Sequence, residues 1–93
     1  MIGVYALFWE STGKVYIGRG LPIENRFISH KTMMVKGTHF NYKVQKEYDT
    51  VGLPTFIVLE ECSIDVYASK EASWILEFDS VNTGLNLVYG DSE

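Results

Sequence analysis

The 93-residue chain has a single cysteine, two prolines and no long apolar run. Cys62 has no partner with which to form an intramolecular disulfide, so the composition predicts a reducing, intracellular setting. A membrane helix needs about 18–20 consecutive apolar residues, and a secretory signal needs a basic block ahead of an apolar one; neither pattern occurs. No repeat, low-complexity tract or Pro/Ser-rich linker divides the sequence. There are only two histidines, and no Cys/His set has zinc spacing. With 46% apolar and 14% aromatic residues, the chain can fill one core, and a single domain over residues 1–93 is expected.

Positive charge is almost missing from the second half. Lys70 is the one basic residue after position 46, against ten Asp/Glu, whereas residues 14–46 hold seven Lys/Arg against Glu24 alone. A formal net charge of -4 taken as an average argues against an acidic partner. The division reverses that inference for residues 14–46, which form a basic stretch inside an acidic protein.

Residues 2–9 are rich in β-branched and aromatic side chains, and with Lys14–Gly18 they read as a β-hairpin. A two-residue Thr12-Gly13 turn would set Trp9 opposite Tyr16 and put Tyr5 and Tyr16 on one sheet face. A slip of one residue would separate them. Pro22 suits the first position of a helix reaching about residue 35, with Ile23, Phe27 and Met34 on one stripe and Lys36-Gly37 at its end. Phe40, Val44 and Tyr48 recur every four residues and predict a second short helix, closed by Gly52 and Pro54. Thr55–Leu59 reads as a third strand. Ser69 is expected to cap a helix running to about Asp79, with Glu71, Trp74, Ile75 and Phe78 on one face. Gly84–Tyr89 is expected to be extended and to dock on the sheet. The order excludes a doubly wound parallel sheet and predicts an α+β domain, a small, mostly antiparallel three-stranded sheet flanked by helices.

Three groups of residues could carry chemistry. Arg26 and His30, four apart, share a helix face. They form a cationic pair that is either a solvated edge or a phosphate clamp, since guanidinium is a bidentate fork and imidazole can exchange a proton near neutrality. Glu71 ends an apolar stripe, either stabilised by the helix dipole or available as an oxygen ligand for a hard cation. Tyr5 and Tyr16 are either half-buried packing groups or site residues. Gly3 and Gly18 beside them mark places where a backbone or a ligand can approach closely.

The same residues resemble a known family. Gly3-Val-Tyr5, ten intervening residues and then Tyr16-Ile-Gly18 are similar to the paired signature of the GIY-YIG nuclease domain, with Val4 in place of isoleucine. The resemblance continues through Arg26 and His30 on the first helix, Lys36-Gly-Thr-His39 in the next loop, Glu71-x-x-Trp-Ile75, and Gly84-Leu-Asn86. Leu85 departs from the aromatic residue usual before that asparagine. Within the family the chain resembles the catalytic domain of phage intron-encoded homing endonucleases.

The resemblance implies hydrolysis of DNA phosphodiester bonds with one divalent cation, Mg²⁺ or Mn²⁺, held by Glu71. Tyr5 would deprotonate the attacking water, its ionised form favoured by Arg26, His30 and the metal. Arg26 would bind the charge that builds on the phosphate. Tyr16 and His30 would either position water and phosphate or relay the proton. Lys31, His39 and Asn86 are assigned to the substrate side, Asn86 chiefly in tying the last segment to the site. A DNA-binding or interaction module that keeps the fold without turnover is the rival reading. No zinc finger, basic arm or helix-turn-helix supplies sequence specificity, so the expectation is cutting with low sequence preference, a homodimer, or a separate DNA-targeting partner. The basic stretch predicts a weak, salt-sensitive grip on few phosphates.

Overall fold

The computed structural model describes residues 1–88. Two strands, β1 (Gly3–Trp9) and β2 (Lys14–Gly20), are followed by helices α1 (Ile23–Lys36) and α2 (Tyr42–Val51), strand β3 (Thr55–Glu61) and helix α3 (Tyr67–Phe78). The sheet order is β2-β1-β3, antiparallel throughout. β1 therefore lies in the centre, and helices cover both of its faces. This explains why its sequence is a nearly continuous apolar run rather than an alternating one. Tyr5, Leu7, Trp9 and Tyr16 point into one core with Ile23, Met34 and Val44 of α1 and α2. Val4, Ala6, Val15 and Ile17 point to the other side and meet Ile75 of α3. No helix among the described residues is long and apolar enough to cross a membrane.

The hairpin register differs from the expected one. Trp9 pairs with Lys14 and Leu7 with Tyr16, so the turn holds four residues, with Gly13 at φ 73° and its N–H bonded to the carbonyl of Trp9 at 2.8 Å. A two-residue turn of the favoured kind would put β-branched Thr12 in the left-handed region as well; the longer turn asks that of Gly13 alone. The slip is of two residues, so Tyr5 and Tyr16 stay on one face, as expected.

Helix ends account for the remaining differences. Pro22 is the N-cap of α1 rather than its first residue. Gly37 closes α1 in the left-handed conformation, at φ 77°, and Thr38 N–H returns to Met33 O at 2.9 Å. Asn41 caps α2, its Oδ1 accepting from Lys43 and Val44 N–H at 2.9 and 3.2 Å. Phe40 consequently lies in the loop before the helix and not on its stripe. Ser69 does not cap α3: the helix starts two residues earlier, and the Ser69 hydroxyl donates to Val66 O at 2.9 Å in the first turn. The segment after α3 docks on β2 without forming a strand, through Leu85 N–H to Val15 O at 2.9 Å. Tyr89, the end of the expected extended segment, lies outside the described residues.

Candidate active site

Tyr5 on β1 and Tyr16 on β2 are wholly buried, as is His30 on α1. The two-residue period of the hairpin and the four-residue period of the helix bring them together. The Tyr5 hydroxyl is 2.5 Å from His30 Nε2, and the Tyr16 ring meets His30 edge-on at 5.4 Å. Gly18, opposite Tyr5, makes this arrangement possible, because a Cβ there would fall 2.4 Å from the Tyr5 hydroxyl and ring. Gly3 answers a different need: a Cβ there would strike the Glu60 carbonyl of β3 at 2.1 Å. The two signature glycines thus make room for a phenol and for a backbone, respectively.

His39, in the loop between α1 and α2, lies nearly coplanar with His30. His39 Nε2 is 2.7 Å from His30 Nδ1, and His39 Nδ1 accepts from the Asn41 backbone N–H at 3.0 Å. An amide N–H can only donate, so Nδ1 is the bare nitrogen of His39. Neutral His39 then carries its proton on Nε2 and donates to His30 Nδ1, and neutral His30 donates from Nε2 to the Tyr5 oxygen. The hydrogen bonds run one way, from Asn41 through both imidazoles to the phenol. In this state His30 is a donor to Tyr5 and has no lone pair with which to take its proton.

The electrostatics correct one expectation. His30 is not half of a cationic pair: burial, with the charges of His39 and Arg26, pushes its pKa down to about 3. Burial, aided by Arg26, holds His39 down to about 4. Positive charge beside the phenol therefore comes from Arg26, which half-buries its guanidinium over the Phe40 ring at 5.7 Å. Its charge and hydrogen bond to Tyr5 do not outweigh burial, to which Glu71 adds, and the phenol is pushed up to about 12. In the protein alone, Tyr5 is protonated at neutral pH.

Glu71 projects from the first half of α3 and is 1% exposed. Its Oε1 accepts from Arg19 of β2 at 2.9 Å, and the Arg19 guanidinium lies 5.3 Å from the centre of the Tyr67 ring. Arg19 was absent from the sequence-based site. It follows the Tyr-Ile-Gly motif but points to the opposite sheet face from Tyr16, so period and motif both pass over it. Asn41, missed likewise, carried the ordinary signal of an N-cap, a polar residue just before an apolar helical stripe. Among the described residues no group of three or more His, Cys, Asp or Glu side chains is placed to hold a metal ion. A lone carboxylate still suits Mg²⁺ or Mn²⁺, which keeps most of its waters and draws further oxygens from a substrate phosphate. Glu71 fits that donor set, provided Arg19 shares or yields its oxygen.

The remaining predicted residues divide. Lys31 is exposed on α1, outside the buried group. Asn86 is fully buried; its amide donates to Ile17 O at 2.9 Å and accepts from Ile17 N–H at 2.8 Å and the Ser80 hydroxyl at 2.7 Å. Those bonds occupy its amide and tie the segment after α3 to β2.

No protein-family model matches the chain. It is 29% identical over 101 residues to Intron-associated endonuclease 1 of Enterobacteria phage T4, covering 97% of this chain and 39% of that protein. Among solved structures it resembles the catalytic domain of homing endonuclease I-TevI, with a TM-score of 0.88 at 27% identity over 95% of this chain and 99% of that one. A mutant form of the same catalytic domain gives a TM-score of 0.89 at 27% identity, covering 96% and 95%. The chain thus spans 39% of the curated relative's length and nearly all of the catalytic-domain structures.

Proposed function

We propose that this chain, which has the GIY-YIG nuclease-domain fold, is an endonuclease that hydrolyses DNA phosphodiester bonds with a divalent cation at Glu71. The observation that carries the reading is the convergence of Tyr5, Tyr16, His30 and His39 from two strands, a helix and a loop into one buried cluster. Arg26 and Glu71 stand close enough to shift the Tyr5 pKa in opposite directions. Packing alone needs no such set of titratable groups.

Each residue then has a chemical part. Arg26 binds the scissile phosphate and the charge that develops on it. The Tyr5 oxygen, once its own proton has left to solvent, takes the proton of the attacking water. His30 holds the phenolate by donating from Nε2, and Tyr16 orients water and phosphate from the same sheet face. Burial opposes phenolate formation, so this step depends on added positive charge. A Mg²⁺ or Mn²⁺ ion held by Glu71 would supply such charge and act as a Lewis acid toward the phosphate. Sequence specificity and second-strand cleavage call for a second copy of the domain or a DNA-targeting region.

Nicking of supercoiled plasmid in Mg²⁺ tests the reading. The parent chain is expected to give open circles, and Glu71→Ala and Tyr5→Phe to lose on the order of 10²-fold or more in rate. A parent that binds plasmid without nicking it would make the chain a binding module. Near-parental rates in Glu71→Ala would remove the cation from that residue.

A further inference from the structure

The β1–β2 turn, α2 and the segment after α3 enclose a cleft of about 540 Å³ that the catalytic cluster does not use. Lys14, Lys43 and Lys46 line it, with Glu47 as its acidic residue. Glu47 is buried, accepts from the Thr12 hydroxyl at 2.5 Å and lies 3.6 Å from Lys14 Nζ. Its charge holds the turn against α2, and three ammonium groups against one carboxylate leave the cleft positive. Flexible, compact ammonium groups favour an anion met as a point charge, and the sugar–phosphate backbone is such a ligand. Tyr42, 66% exposed and also on the lining, adds an aromatic face on which a sugar or base can rest.

The position of the cleft links it to the cluster. Leu85 lines it and accepts from the Asn41 side chain at 2.9 Å, while the Asn41 backbone N–H bonds His39. Lys14 precedes Tyr16 by two residues on the same sheet face, an advance of ~7 Å, about the rise of two base pairs along the duplex axis.

We propose that this cleft is a second anion site, which holds the DNA backbone one or two nucleotides from the scissile phosphate through Lys14, Lys43 and Lys46. The proposal rests on the nuclease reading above. It makes Lys43 and Lys46 determinants of binding and not of chemistry.

The test is a Lys43→Gln/Lys46→Gln double variant of the full chain. Binding of a labelled DNA duplex is followed by fluorescence anisotropy over a salt series, in a Glu71→Gln background that prevents cutting. Nicking kinetics are measured with Glu71 intact. The slope of log K against log salt is expected to fall by about 0.9 for each lysine, with KM raised about tenfold and kcat within about twofold of the parent. Lys43→Arg/Lys46→Arg, which keeps the charge, is expected to retain parental slope and KM. If the parent binds and nicks while the glutamine variant keeps parental slope and KM, the second site is overturned and the nuclease reading stands. Should the parent neither bind nor nick, the nuclease reading falls and the second site with it.

Discussion

Replacing Asn86 by alanine removes three hydrogen bonds made by one buried side chain: Ile17 N–H at 2.8 Å, Ile17 C=O at 2.9 Å and the Ser80 hydroxyl at 2.7 Å. Ile17 lies on β2, an edge strand, and the Asn86 amide pairs with its backbone as a neighbouring strand would. Each bond contributes about 0.5–1.5 kcal/mol net, and a buried N–H left without a partner costs about 1–3 kcal/mol. The loss is therefore about 3 kcal/mol, and for a domain of this size that lowers Tm by ~12–24 °C. Thermal or urea unfolding followed by the fluorescence of Trp9 and Trp74 reads it directly. Asn86→Asp sharpens the test, because a carboxylate keeps the acceptor but faces the Ile17 carbonyl. Its buried acid should have a raised pKa, so that variant should gain stability as pH falls through the folded-state value. A loss under about 1 kcal/mol in Asn86→Ala would refute the reasoning, since the freed edge would then be satisfied by water.

Three further outcomes follow from the same geometry. The pKa values of His30 and His39, held down to about 3 and about 4 in the folded chain, lie below the unfolded value of about 6.5. The unfolded state therefore takes protons first, and stability present above about pH 6.5 is lost on acidification. Unfolding free energies from urea titrations at about pH 7.5 and 5.5 should differ by about 1.4 kcal/mol per histidine, and a His30→Gln/His39→Gln variant should flatten the difference. Arg19→Ala takes one cation from buried Glu71; it should lower Tm, and added Mg²⁺ should raise Tm more than in the parent. An equal Mg²⁺ response in both would show that Arg19 does not compete for that carboxylate. Gly18→Ala should displace the Tyr5 phenol, cost about 1–3 kcal/mol in thermal unfolding and reduce nicking well beyond what that destabilisation explains.

The elements of the fold were legible because periodicity reports burial. The run at residues 3–9 marked a strand, and the stripe of Ile23, Phe27 and Met34 marked a helix, whatever they packed against. The hairpin register was less legible, since Thr12-Gly13 is compatible with turns of two lengths. Parity nevertheless kept Tyr5 beside Tyr16, because a slip of two residues leaves every side chain on its face. The cap at Pro22, the start of α3 at Tyr67 and the loop position of Phe40 depend on where the chain is drawn into the core, which propensity alone does not report.

The sequence shows which side chains could do chemistry and in what order they come, because motif spacing and strand and helix periods are local properties. It also located the basic stretch at 14–46, three of whose lysines line the second cleft. Tertiary structure decided the states and directions of those groups. Whether His30 is charged depends on how much water is removed around it, and which nitrogen carries its proton depends on an amide eleven residues away, at Asn41. Arg19 reaches Glu71 across 52 residues of sequence because β2 and α3 pack together. Desolvation and long-range pairing arise only when distant segments meet, and they turn a set of competent residues into a site with a defined charge and a one-way hydrogen-bond chain.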